Sequence, residues 1–151
     1  MAGKSLKDES LSEEPVQNIL EVFKCFKEFC WHGRMRLRSY QVAAGEAILH
    51  SIYRRDGHSF VVMFQRQSGK HPLQAWLEAF LMFSKMSNGC ELVKISPTWR
   101  PQSLNAMRRL ERVLWAHPFT SLWWRKESNY ILQLGQARTI FLSGAPGSNI
   151  V

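Results

Sequence analysis

Acidic side chains are scarce over most of this chain: beyond residue 31 there are only Glu46, Asp56, Glu78, Glu91, Glu111 and Glu127. None follows an apolar run as a magnesium-binding Asp with an adjacent catalytic Glu would. The five histidines are scattered and no HExxH or paired-carboxylate pattern occurs, so hydrolytic sites of the usual kinds find little support. Cysteine is also sparse. Cys25, Cys30 and Cys90 are odd in number and lack metal-like spacing, and the first two fall in an amphipathic pattern that reads as buried thiols. No apolar run approaches the ~18 residues of a membrane span. The N-terminus is polar and acidic, unlike a signal peptide. Internal repeats and low-complexity tracts are missing too, and the expectation is a soluble, cytoplasmic chain with no membrane partner.

What is present suits one globular domain. The 151 residues are 45% hydrophobic, enough to bury a real core. The net charge of +8 is unevenly spread: residues 1–31 carry −2, leaving +10 on residues 32–151. A basic body of this kind suits a polyanion, nucleic acid first and an anionic membrane second.

Residues 1–14 read as a disordered N-terminus and 15–31 as a helical extension, with Val16, Ile19, Leu20, Phe23, Phe26 and Cys30 at helical spacing. The rest, 32–151, forms the main domain. Ser39 suits the cap of a helix with an apolar stripe of Ala43, Ala44, Ile48 and Ile52, ended at Arg54-Arg55-Asp56-Gly57. Ser59–Phe64 is nearly continuously apolar and reads as a central strand covered on both faces. Leu73, Trp76, Leu77, Phe80 and Leu81 predict a helix over about 70–86, with Pro72 in its first turn. A strand at 91–96 completes a βαβ unit. Leu104, Met107, Leu110, Val113 and Leu114 mark a helix to about Ala116, residues 117–128 are mixed, and Tyr130–Leu134 with Arg138–Leu142 make a hairpin through Gly135-Gln136. Residues 143–149 read as a loop.

Three constellations could carry chemistry. Phe64-Gln65-Arg66-Gln67-Ser68-Gly69-Lys70-His71 lies between the expected strand and helix, the context of a phosphate-binding P-loop. Amides of Gln67, Ser68, Gly69, Lys70 and His71 would cradle phosphates and Lys70 would neutralise them. The full G-x-x-x-x-G-K-[ST] pattern is not met, since Phe64 replaces the first Gly and His71 the final hydroxyl residue, and a basic βα turn with a chance Gly-Lys also fits. Second, Gln41 can read an adenine edge and Tyr40 can stack on a base; an ordinary helix start fits equally. Third, Arg100, Arg108, Arg109 and Arg112, then Trp123, Trp124, Arg125 and Lys126, combine phosphate-binding groups with stacking faces. A solvated basic face and core-filling tryptophans are the plain alternatives.

Leu37–Gln41, Phe64–Lys70, Ile95-Ser96-Pro97-Thr98-Trp99-Arg100-Pro101-Gln102-Ser103 and Ala137–Gly144 with Ser148–Val151 resemble, in collinear order over roughly 34–151, the ATPase domain of phage terminase large subunits. The resemblance implies an α/β fold: a P-loop NTPase-type parallel sheet flanked by helices, incomplete, with the helical N-terminal extension. It implies ATP held by Lys70, Arg66 as the catalytic group stabilising the transferring phosphoryl, and Gln41 with Tyr40 as the adenine-sensing motif. It further implies double-stranded DNA, other motor subunits, a small terminase subunit and a portal as partners, in the bacterial host cytoplasm. His71 departs from the family's Lys-Ser or Lys-Thr, and imidazole suits hard Mg²⁺ poorly, so metal binding in the usual way is in doubt and no metal site is read from the sequence. The chain also stops before the Walker B carboxylates and nuclease, so the expectation is a fragment with little or no ATP hydrolysis. A helicase-like translocase fragment, or a nucleic-acid-binding module taking no nucleotide, are the alternatives.

Overall fold

A computed structural model describes residues 25–145. The expected disordered 1–14, most of the helical extension (15–24) and the last six residues lie outside it. Residues 25–32 are helical (α1), followed by α2 (Ser39–Arg54), α3 (Lys70–Ser84), β1 (Cys90–Ser96), a short kinked turn (Trp99–Ser103), α4 (Leu104–Ala116), β2 (Trp124–Ser128), β3 (Ile131–Leu134) and β4 (Ala137–Ser143). The fold is α/β. Its sheet has the order β1-β4-β3-β2 and is mixed rather than parallel: β1 runs parallel to β4, while the β4–β3 and β3–β2 pairs are antiparallel.

α3 is the central element. Its apolar residues recur at the helical period, so Leu73, Trp76, Leu77, Phe80 and Leu81 are all buried. Thr139 of β4 meets Met82 at 3.2 Å on the sheet side. On another side Phe26 and Phe29 of α1 close on the Phe80 ring at 5.3 and 5.6 Å. α4 buries Met107, Leu110 and Leu114 and leaves Arg108, Arg112 and Trp115 in solvent. β1 and β4 alternate cleanly. Ala137, Thr139, Phe141 and Ser143 of β4 are buried, and the register puts Lys94 beside Phe141 on that same covered face. On the opposite face Val93 and Ile95 stand in solvent.

Five expectations need correction. The run 59–64 forms no strand: it is not in the sheet, and Val61 and Met63 are 88% and 86% exposed. Apolar side chains alone do not make a strand; the backbone must pair, and although β1 is an edge strand of the sheet, this run does not pair with it. The βαβ unit built on that run is therefore not formed. Ser39 is the first helical residue of α2, and Arg38 holds the cap position, because Gln41 one turn on accepts the Arg38 N–H at 2.9 Å. The buried stripe of α2 runs through Gln41, Gly45 and Leu49 rather than Ala43 and Ile52, since Gly45 lets Phe26 approach. Of the two cysteines expected to be buried, Cys30 is, with burial pushing its thiol up to about 12, while Cys25 is exposed.

Candidate functional site

The segment entering α3 is anchored from α2. Phe64 sets its ring edge-on to Tyr40, centroids 5.2 Å apart. After it the chain turns: Ser68 donates through both its N–H (3.3 Å) and its hydroxyl (2.6 Å) to the Gln65 carbonyl. Gln67 and Gly69 take positive φ of 61° and 84°. The Tyr40 hydroxyl donates to the Ser68 carbonyl at 2.7 Å and itself accepts from the Arg38 guanidinium at 3.1 Å. Gln41, only 3% exposed, donates from Nε2 to the Gly69 carbonyl at 3.1 Å and accepts from the Arg38 N–H through Oε1. A Cβ on Gly69 would lie 2.5 Å from that Nε2, so glycine is required twice over, by backbone angle and by the closeness of Gln41. Two constellations 28 residues apart in sequence thus meet, and the loop carbonyls are turned toward α2.

The start of α3 carries the wrong charge for a helix N-terminus. No side chain caps it and its first turn holds no acid, although a negative group is what the positive end of a helix dipole favours. Lys70 and His71 occupy that turn instead, both exposed. Partial desolvation, then the positive charges of Arg109, Lys70 and Lys94, hold His71 below the ordinary histidine range, so its imidazole is neutral at pH 7. Lys94 is tied to Glu78 of α3 by a 2.6 Å bond, with both side chains largely buried. Burial raises the Glu78 carboxyl while Lys94 pulls it down, and Glu78 Oε2 has no hydrogen-bond partner among the described residues. Positive charge therefore gathers at the α3 start, from exposed Lys70 and from Arg109, with no acid in the first turn to offset it.

Of the residues singled out by sequence, Tyr40, Gln41, Ser68, Gly69, Lys70 and His71 come together here. Arg66 and Gln67 stand exposed on the loop. Tyr40 and Gln41, expected to face a base, direct their polar atoms at the loop backbone. Among the described residues, no group of three or more His, Cys, Asp or Glu side chains gathers as a metal site. Arg108, Arg109, Arg112 and Trp124 line a groove of about 930 Å³ along α4, while Trp123 is exposed and does not line it. Sequence reasoning passed over one residue, Trp115, and one pairing, that of Arg109 with His71. Trp115 also lines the groove, and its signal is its place three residues after Arg112 on one helix face. Arg109 bears on His71 across the fold, which no local spacing encodes.

No family model matches this chain, and neither a curated protein nor a solved structure was found similar to it. Among the described residues no helix is long and apolar enough to cross a membrane.

Proposed function

We propose that the chain binds the phosphates of ATP at the start of α3, as the nucleotide-binding portion of a terminase-like DNA-packaging motor built on a P-loop-type fold. One observation carries the reading: Tyr40 and Gln41 hold the carbonyls of Ser68 and Gly69, fixing the backbone just before an uncapped, positively charged helix start. With the Ser68 and Gly69 carbonyls secured and the Ser68 N–H turned back on Gln65, Lys70 and the first amides of α3 are the groups left for an anion. Lys70 contacts the terminal phosphates, Arg109 supplies positive field from α4, and Arg66 is the cation available to a transferring phosphoryl. Tyr40 and Gln41 act as positioning residues for the loop. His71, a neutral imidazole where a hydroxyl would serve Mg²⁺, fits the metal poorly. Little steady-state hydrolysis follows, with double-stranded DNA and other motor subunits as the partners of such a motor.

A fluorescence titration with ATP, ADP, AMP and adenosine tests this. Affinity should fall in that order, since each phosphate removed takes away charge facing Lys70; equal binding of adenosine and ATP would refute it. A second reading, a nucleic-acid-binding module that takes no nucleotide, is favoured by the basic groove along α4.

A further inference from the structure

On its α4 side the groove is built from residues outside the core, while Trp124 of β2 closes it from the sheet. Met107, Leu110 and Leu114 turn α4 into the core, leaving the face of Arg108, Arg112 and Trp115 outside. Positions four and three apart stack along one side of a helix, so these three form a continuous row. Trp115 is 72% exposed, an indole left in water. It meets Trp124 of β2 edge to face, centroids 6.3 Å apart at 84°, so the two rings form a corner. Arg112 donates from Nε to the Arg108 carbonyl at 3.3 Å, which lays its stem along the helix. The acid in the groove lining, Glu111, is held at 3.0 Å by Lys126 and is neutralised there. The remaining charge in the groove is that of Arg108, Arg109 and Arg112.

We propose that this groove binds single-stranded nucleic acid, with the arginines on successive phosphates and Trp115, backed by Trp124, stacked on a base. Charge complementarity selects a polyanion, and the indole selects its form. Bases inside a duplex are already stacked and cannot lie on a side chain, whereas an unpaired strand offers them freely. A duplex would use the arginines and leave the Trp115–Trp124 corner without a role.

The test uses the purified full chain without nucleotide, a labelled dT20 strand, the matching 20-base-pair duplex, and vesicles of phosphatidylserine and phosphatidylcholine. Anisotropy should show dT20 bound more tightly than the duplex, with tryptophan emission quenched at saturation. Trp115→Ala, at an exposed position that leaves the core intact, should weaken dT20 binding about tenfold with an unchanged salt dependence. Trp115→Phe should retain most of the affinity. Arg108→Gln with Arg112→Gln should flatten the slope of log K against log salt by about 1.4. No binding of dT20, preference for the duplex, binding to vesicles alone, or equal affinity of the wild type and Trp115→Ala would each overturn the proposal.

Discussion

Replacing Gln41 by Leu probes the anchoring of the loop directly. The substitution keeps the approximate bulk of a side chain that is 3% exposed but removes its bonds to the Gly69 carbonyl and the Arg38 N–H, at 3.1 and 2.9 Å. A buried polar group left without its partner costs about 1–3 kcal/mol. The Gly69 carbonyl keeps the Leu73 N–H at 3.1 Å and the Arg38 N–H is only part-buried, so the loss is about 1–2 kcal/mol of global stability. Gln41→Glu separates the two bonds, because a carboxylate still accepts from Arg38 but cannot donate to Gly69. It should lie between the wild type and Gln41→Leu at pH 7. Urea unfolding followed by circular dichroism measures the stabilities. A nucleotide titration on the folded variants should show affinity lowered about tenfold, since a loosened loop must be ordered on binding. Gln41→Leu with the wild-type urea midpoint and unchanged nucleotide affinity would refute the anchoring role.

The His117 ring is fully buried, stacked 3.8 Å from Phe29, with Nε2–H donating to the Phe29 carbonyl and Nδ1 accepting the Phe119 N–H. Burial holds it below the ordinary histidine range despite the Phe29 bond, so the unfolded chain takes up the proton first. Stability should be level above the unfolded histidine value of about 6.5 and fall as the pH drops below it; urea midpoints between pH 7.5 and 5 should show this slope, and His117→Gln should reduce it, with His71 contributing the remainder. Lys94→Met strands a buried carboxylate at Glu78 and should destabilise by about 3–5 kcal/mol, whereas adding Glu78→Leu should restore most of the loss. A double variant no more stable than Lys94→Met would contradict that account of the pair.

The helices were the most legible part of this chain, because α3 and α4 each put bulky apolar residues on one face. Leu104–Ala116 is found as the periodicity predicts, and α3 begins at Lys70 with Pro72 in its first turn. The β3–β4 hairpin was also legible. Gly135, at φ 58°, sits where a Cβ would strike the Met86 carbonyl at 2.6 Å. β2 escaped notice because Trp124–Ser128 is mostly charged and belongs to the sheet through its backbone ladder to β3. The run 59–64 misled for the opposite reason, having strand-like side chains without a backbone ladder to the sheet. At the site, the meeting of Tyr40 and Gln41 with Ser68 and Gly69 was suggested only through resemblance. The bonds of the Tyr40 hydroxyl and Gln41 Nε2 to the loop carbonyls are tertiary geometry that no local pattern contains. The same holds for Arg109 beside His71 and for Trp115 against Trp124.

Isothermal titration of ATP into the wild type and into Lys70→Ala, at pH 7.5 and moderate salt, bears most directly on the phosphate site. Lys70 is exposed and touches none of the core, so the variant should fold as the wild type does. Losing a hydrogen bond to a charged phosphate costs about 1.5–3 kcal/mol, so ATP affinity should fall roughly ten- to a hundredfold. Wild-type and Lys70→Ala isotherms that superimpose, or a wild type that takes up no ATP, would contradict phosphate binding at the start of α3.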